Sequence, residues 1–404
     1  MNRPRHDTVR AGARAAARPS GLPAGTVSWL EIDVDAFREN VAAFAGALDE
    51  HAELLAVVKS NAYGHGVSLL APAALDAGAT WLGVISLQEG LALRSLVGQT
   101  TPILVMGHVP PSDVEAAVAA SLGLTVYDEE TVAAMDAAAR RVGRRGRVHL
   151  KVETGTHRQG VAELELVALA KRVASSEQLL FDGLSTHFAD IEDTTDHRFA
   201  LQQIAAFRHA REAVERAGAV PRLCHAACSA AVILFSETHF DLARAGIGLY
   251  GLWPSRETFV SARAAASMLD LRAVMTWKAL IAQVKEVPAG AYIGYGRTWR
   301  ATRSSRIAVL PVGYYDGYDR SLSGKAHVLV RGRRAPVVGR VCMNMTMIDV
   351  TDVPETVAGE VAVLLGASGG ERVRAEDIAG WAGTIHYEIV SRIHPSIPRI
   401  PFAS

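Results

Sequence analysis

Cysteine is scarce. Cys224, Cys228 and Cys342 are the three thiols in 404 residues, too few and too scattered for a disulfide framework, which fits a reducing compartment. The segment Cys224-His225-Ala226-Ala227-Cys228 lacks the second ligand pair that zinc spacing requires, so it reads as thiols buried on a strand. Net charge is missing as well, with Lys plus Arg and Asp plus Glu at 42 each. Such a surface has no field of one sign to recruit nucleic acid or an anionic membrane, which leaves small molecules and copies of the chain as partners. No run approaches the roughly 18 continuous apolar residues that a bilayer-spanning helix needs. Residues 1–26 hold five arginines and one aspartate without the apolar stretch of a secretory signal. They read as a disordered basic tail on a chain expected in the cytoplasm.

Apolar residues make up 49% of the chain, enough for large cores, and the length suggests two domains. Short β-rich runs alternate with alanine-rich amphipathic segments up to about Gly251. Eight candidate strands fall at 54–59, 81–86, 103–107, 124–127, 148–153, 183–187, 222–228 and 243–249. Eight βα units suggest an α/β fold of the TIM (β/α)8 barrel type over residues 27–265, with the carboxyl ends of the strands forming the active-site mouth. A doubly wound sheet stays open, because strand order cannot be read from one sequence. Beyond residue 265 the texture becomes apolar–polar alternation with Gly-containing turns such as Arg331-Gly332-Arg333. This predicts a mostly β C-terminal domain over 266–404, with residues 27–33 available to pack with it, and one helix at 375–386.

The strand ends are chemically unusual. They carry Lys59, Lys151 with Glu153, His187, Ser229 and Arg244, and Arg158 lies just past the fifth. Lys59 follows Leu54-Leu55-Ala56-Val57-Val58 directly. An ammonium at the end of a doubly buried strand costs several kcal/mol unless it is paired or neutralised. Desolvation lowers a lysine's pKa, and a neutral amine can form a Schiff base with an aldehyde cofactor. The alternative is a lysine that snorkels to solvent, and the segment by itself does not choose.

Several motifs together resemble the alanine racemase family of pyridoxal-phosphate enzymes, from residue 29 to 402. They are Val57-Val58-Lys59-Ser60-Asn61-Ala62-Tyr63-Gly64-His65-Gly66, Lys151-Val152-Glu153-Thr154-Gly155 with Arg158, Thr186-His187-Phe188, Ser229-Ala230-Ala231, Arg244-Ala245-Gly246-Ile247, Ile293-Gly294-Tyr295-Gly296, Cys342-Met343 and Tyr387-Glu388. The resemblance implies an amino-terminal barrel, a carboxyl-terminal β domain and a head-to-tail homodimer with shared active sites. It implies racemisation of alanine with pyridoxal 5'-phosphate, supplying D-alanine for peptidoglycan.

Racemisation removes a proton from one face of Cα and delivers one to the other, so two acid/base groups must flank the substrate. By the resemblance these are Lys59 and a partner-chain Tyr295, the latter assisted by His187 in relay with Arg244. Arg244 would hydrogen-bond the pyridine nitrogen, and Arg158 the cofactor's phenolic oxygen and the substrate carboxylate. Phosphate falls to Tyr63, Ser229, Tyr387 and the amides of Gly246 and Ile247. Met343 would offer its amide to the substrate carboxylate. Lys151 matches a lysine that is often carbamylated in the family, and pairing of an unmodified Lys151 with Glu153 is the alternative. Arg244 paired with Asp241 is the bland reading of the arginine.

The chain departs from the family pattern at Thr156-His157-Arg158-Gln159-Gly160, at Cys228 where asparagine often stands, and at Asn344 where aspartate is common. Ser60 and His386 are milder departures. Turnover of serine or another amino acid, a related decarboxylase and a non-catalytic cofactor-binding protein are the competing readings. Arg244 opposite the ring nitrogen speaks against the decarboxylase, and the second domain bearing Tyr295 and Met343 against the binding protein.

Overall fold

The computed structural model describes residues 18–19, 21–265 and 269–402. Most of the expected basic tail lies outside the described residues. Two compact units are present, Asp33–Val274 and Met275–Ile400, and the second also takes in the described residues before Asp33.

The strand β1 (Ser28–Asp33) comes first in the chain, and the next eight strands form a single parallel sheet. They are β2 (Glu53–Val57), β3 (Trp81–Val84), β4 (Ile103–Val105), β5 (Gly123–Val126), β6 (Gly146–Lys151), β7 (Leu179–Ser185), β8 (Leu223–His225) and β9 (Leu242–Ala245). Each pairs with its sequence neighbour from β2 to β8, and β2 also pairs with β9. The remaining seam is bridged by two backbone bonds, Asp241 N to Cys224 O at 3.0 Å and Arg244 N to Ala227 O at 3.1 Å. Sequential order with the ends brought together is a barrel, which excludes the doubly wound sheet. Strands buried on both faces explain the near-continuous apolar runs that marked them in the sequence.

Inside, Leu55, Val57, Trp81, Leu104, Leu223 and Leu242 form one buried cluster, with Tyr63 and Met106 packed against it. Burial of each such side chain contributes about 1.5–3 kcal/mol. Polar caps start the surrounding helices. Asp33 accepts from Ala36 N before Val34–Gly46, and Asp128 accepts from Thr131 N before Glu129–Val142. These caps satisfy amides that have no intrahelical partner.

All eight barrel strands stop one to four residues before their expected carboxyl ends, and two of these differences shape the mouth. The first barrel strand stops at Val57 rather than at Lys59, and the last stops at Ala245 rather than at 249. Gly246 (φ −121°, ψ −102°) leaves the extended region, and Ile247–Tyr250 forms a 3-10 turn.

The second unit is mostly β. Its strands are β10 (Met275–Leu280), β11 (Gln283–Val287), β12 (Tyr292–Ile293), β13 (Trp299–Arg300), β14 (Ser305–Leu310), β15 (His327–Val330), β16 (Arg333–Pro336), β17 (Thr346–Asp349), β18 (Val361–Ser368), β19 (Glu371–Val373) and β20 (Arg399–Phe402). The main sheet runs β16-β15-β18-β10-β1-β20 with β19 on β18. β11-β14-β17 and β12-β13 are separate sheets. Arg331 (φ +50°) and Gly332 (φ +72°) make the two-residue turn between β15 and β16, the left-handed geometry that matches strand twist.

The single helix expected at 375–386 is two, Ala375–Ala382 and His386–Ser391. Gly383 (φ +77°) ends the first in the left-handed conformation. Thr384 then bonds the Glu388 carboxylate at the start of the second.

Candidate active site

The carboxyl end of β2 leads into a left-handed turn. Ser60, Asn61, Ala62 and Tyr63 have φ of +55°, +55°, +54° and +51°. Each non-glycine residue in that region costs about 1–2 kcal/mol, so the surroundings must hold the turn. Ser60 N donates to Glu89 Oε1 at 2.7 Å, and Ile85 N donates to Glu89 Oε2 at 2.9 Å. Val67 N donates to Asn61 Oδ1 at 2.9 Å, and Gly64 N to Ser60 O at 3.0 Å. Glu89 is the third residue of the helix Leu87–Val97, whose cap Ser86 accepts from Glu89 N. A glutamate at that position ordinarily turns back to the cap amide. Here it reaches Ile85, one residue before the cap, and Ser60 instead.

The turn leaves Lys59 half-buried, its Nζ 5.9 Å from the centre of the Tyr63 ring. Burial lowers its pKa, Arg158 lowers it further, and Glu89 works in the opposite direction. Lys151, at the end of β6, is pushed down to about 8, first by burial and then by Arg244 and Arg158. Glu153 does not act mainly as its partner. Its carboxylate accepts from Gly155 N at 2.6 Å and Arg158 N at 3.3 Å, and so shapes the loop that carries Arg158. Burial favours the neutral form of Glu153, but these amides outweigh it and hold the pKa down.

Arg244 on β9 is buried and fully engaged on one side. Its Nη1 donates to His225 Nδ1 at 2.7 Å, and Nη2 donates to Thr186 O at 2.8 Å and Ala226 O at 2.9 Å. Nε–H and one Nη1 hydrogen are left over. Burial lowers the guanidinium to about 10, still charged at neutral pH. The expected relay to His187 is a long contact, Nη2 to Nδ1 at 3.5 Å. Burial first, and then Arg244, Lys151, Arg158 and Lys59, drive His187 well below its usual value, so it is neutral. Pairing of Arg244 with Asp241 does not occur, because Asp241 Oδ2 accepts from Cys224 N at 2.7 Å.

Ser229 opens the helix Ser229–Leu234, and its Oγ accepts from Gly246 N at 2.8 Å and Gly248 N at 3.4 Å. The hydroxyl proton stays free to serve an anion. A Cβ at position 246 would sit 2.6 Å from Tyr63 Oη, so glycine lets that phenol approach the backbone. Burial raises the Tyr63 pKa, which keeps it a donor. Cys228 is the cap residue of this helix rather than part of a strand. Burial, with Glu192 nearby, pushes its thiol up to about 11.

One unit therefore holds Lys59, Tyr63, Lys151, Arg158, His187, Ser229, Arg244, Gly246 and Ile247 on the strand ends and connections at one end of a barrel. The β unit holds Tyr295, Met343 and Tyr387. Tyr295 follows Gly294 (φ +73°) and is 72% exposed. With Met343, Asn344, Arg320 and Arg340 it lines a concavity of about 530 Å³. Tyr387 lies in the helix His386–Ser391, its ring 4.8 Å from that of His386. Sequence reasoning passed over Glu89, Tyr250, His149 and Asp182, and met His225 only within the Cys224–Cys228 segment. Tyr250 Oη donates to Val57 O at 2.8 Å and its ring packs on Tyr63. The signal in the sequence for His149 and His225 was a polar residue within an apolar strand run. Among the described residues no cluster of His, Cys, Asp or Glu could hold a metal ion, and no helix is long and apolar enough to cross a membrane.

The barrel, the β unit and the cationic mouth define a class, an isomerase of the racemase type. Residues 32–254 match the family model for the alanine racemase N-terminal domain, and residues 274–401 that for the C-terminal domain. The alanine racemase of Desulfovibrio desulfuricans is 41% identical over 92% of this chain and 97% of its own length. The crystal structure of alanine racemase from D-cycloserine-producing Streptomyces lavendulae has a TM-score of 0.88 at 36% identity, covering 95% of this chain and 98% of that one. That of Bartonella henselae, with covalently bound pyridoxal phosphate, has a TM-score of 0.82 at 26% identity, covering 93% and 100%. The chain belongs to the alanine racemase family.

Proposed function

We propose that this chain interconverts L- and D-alanine with pyridoxal phosphate attached at Lys59, using Lys59 and a partner-chain Tyr295 as the two acid/base groups. The observation that carries the reading is the convergence of Lys59, Lys151, Arg158 and Arg244, where burial and then Arg158 lower the pKa of Lys59, and burial and then Arg244 and Arg158 lower that of Lys151. Four cations with few acids among them call for an anionic occupant.

The donor set fits the cofactor. Ser229 and Tyr63, with the amide of Ile247 at the start of a 3-10 turn, suit a phosphate, whereas the expected Gly246 amide is already held by Ser229 Oγ. Arg244 has N–H groups to spare for a ring nitrogen and can only donate, which keeps that nitrogen unprotonated. Bound pyridoxal phosphate supplies an aldehyde to the lysine and a conjugated ring that spreads the charge developing at Cα.

The remaining work belongs to the protein. Lys59, with its lowered pKa, takes or gives a proton on one face. Tyr295 serves the other face from a second copy, supported by its exposure on the β unit. Arg158 orients the substrate carboxylate, with the amide of Met343. Neutral His187 can accept or pass the phenol's proton. A carbamate on Lys151 would turn one of four cations into an anion beside Arg158. Tyr387 would complete the phosphate site. The division of labour is that residues 27–265 bind the cofactor and residues 266–404 complete the substrate site, with the basic tail dispensable. Three free cysteines suit a cytoplasmic enzyme that supplies D-alanine for peptidoglycan. The purified chain should racemise L-alanine, and removing residues 1–26 should leave the rate unchanged. Retention of full turnover by Lys59→Ala would end this reading.

A further inference from the structure

His149 lies inside the barrel by construction. β7 carries one extra residue, Asp182, where the register shifts opposite Val148 and His149 of β6, the device by which a strand re-aims a side chain. Two glycines on the neighbouring strands make room for the ring. A Cβ at Gly183 would stand 2.2 Å from His149 Nδ1, and one at Gly123 would stand 3.2 Å from Nε2. The ring meets Trp81 edge-on, with centroids 5.6 Å apart, and is fully buried. An apolar side chain would fill that space without desolvating a polar ring.

The polar atoms form a line. Arg244 Nη1 stands 2.7 Å from His225 Nδ1, His225 Nε2 stands 3.0 Å from His149 Nδ1, and His149 Nε2 stands 3.4 Å from Asp182 Oδ2. Asp182 is fully buried and also accepts from Arg147 Nε at 2.7 Å and Arg222 Nε at 2.6 Å. Its burial opposes ionisation, but His149, Arg147 and Arg222 outweigh that and keep it a carboxylate. Burial drives both histidines down, so each carries one ring proton.

The positions of those protons follow from the two ends. A guanidinium only donates, so His225 Nδ1 must be the acceptor and Nε2 must carry the proton. That proton points to His149 Nδ1, which leaves His149 its proton on Nε2, facing Asp182. That nitrogen makes no well-aligned hydrogen bond among the described residues, and Asp182 Oδ2 stands 3.4 Å from it.

We propose that His225, His149 and Asp182 are positioning residues for Arg244, a one-way polar line of two hydrogen bonds that starts at the barrel mouth and ends with the last imidazole N–H beside a buried carboxylate. The line holds the guanidinium in one orientation and presents it with a lone pair at all times. The proposal rests on the reading of Arg244 as the partner of the cofactor's ring nitrogen. The proton positions do not depend on that reading.

The test combines ¹⁵N histidine spectra of the full chain with two substitutions at one site. At neutral pH, without added pyridoxal phosphate, both His149 and His225 should appear as neutral Nε2–H tautomers. An Nδ1–H tautomer or an imidazolium at His225 overturns the proposal. With the cofactor, His149→Leu should still take a borohydride-fixed label on Lys59, while kcat falls about 10–100-fold and KM for alanine moves less than about threefold. His149→Gln can accept from His225 with its carbonyl and donate to Asp182 with its amide, so it should recover most of the loss and the native cofactor spectrum. A glutamine variant as slow as the leucine variant, or a leucine variant at the native rate, also overturns the proposal. If the leucine variant does not fold, the tautomer spectra of the native chain decide. Failure of the native chain to take the label would sink the cofactor reading, and the spectra would still judge the line.

Discussion

Glu89 grips the turn after Lys59 from outside, one oxygen accepting from Ser60 N at 2.7 Å and the other from Ile85 N at 2.9 Å. A residue in the first turn of a helix thereby anchors the start of a run of four left-handed residues, a geometry unfavourable for Ser60, Ala62 and Tyr63. Glu89→Gln replaces one acceptor oxygen by a donor, so one amide loses its partner. The loss of stability should be about 1–3 kcal/mol in urea unfolding. Glu89 also raises the pKa of Lys59, so the variant's Lys59 should lose its proton at lower pH than the native residue, as followed by the pH dependence of amine labelling.

Removing the Ser229 hydroxyl tests the anion site. Its oxygen accepts from two buried amides, at Gly246 and Gly248. Ser229→Ala should weaken pyridoxal phosphate binding about tenfold or more, for the price of one to two lost hydrogen bonds, while pyridoxal without the phosphate should bind the variant and the native chain alike. Equal losses for both ligands would show that the hydroxyl holds the fold and not the phosphate.

Lys151 should leave a mark on stability against pH. Its pKa falls from 10.5 to about 8, through burial first and then Arg244 and Arg158. The unfolded chain therefore binds more protons between about pH 8 and 10.5, and stability from this group rises with pH across that window. Below about pH 8 the cost of the buried cation is fully present. In carbonate-free buffer, Lys151→Met should be more stable than the native chain at pH 7, by roughly 1–3 kcal/mol, with the gap closing near pH 10. Added ¹³C-bicarbonate should give the native chain a carbamate signal that the variant lacks.

Complementation tests whether two copies share their active sites. Lys59→Ala and Tyr295→Phe chains should each be inactive alone. Co-expressed at equal levels, half of the dimers are mixed and each carries one site with both defects and one intact site, so about a quarter of native activity should return. Activity no higher than that of the separate variants would place both groups of a site in one chain.

Much of this was legible in the residues themselves. The barrel strands were visible as apolar runs because both of their faces are buried, and Lys59, Lys151, His187 and Arg244 were visible because charges rarely end such runs. The turn after Lys59 was hidden, since left-handed Ser60, Asn61, Ala62 and Tyr63 have no local signal and depend on Glu89 from the next βα unit. His149 and Asp182 were hidden for a similar reason. Their meaning depends on a bulge and on glycines contributed by neighbouring strands. The break at Gly383 was available, because glycine followed by threonine is an ordinary helix stop, but the apolar spacing carried the expected helix across it.

The most direct test is to reduce the full chain with borohydride in the presence of pyridoxal phosphate, map the label by peptide mass spectrometry, and assay L-alanine racemisation before and after. The label should sit on Lys59 alone, and activity should disappear in proportion to labelling. A label on Lys151 instead, or racemisation that survives complete labelling of Lys59, would contradict the account.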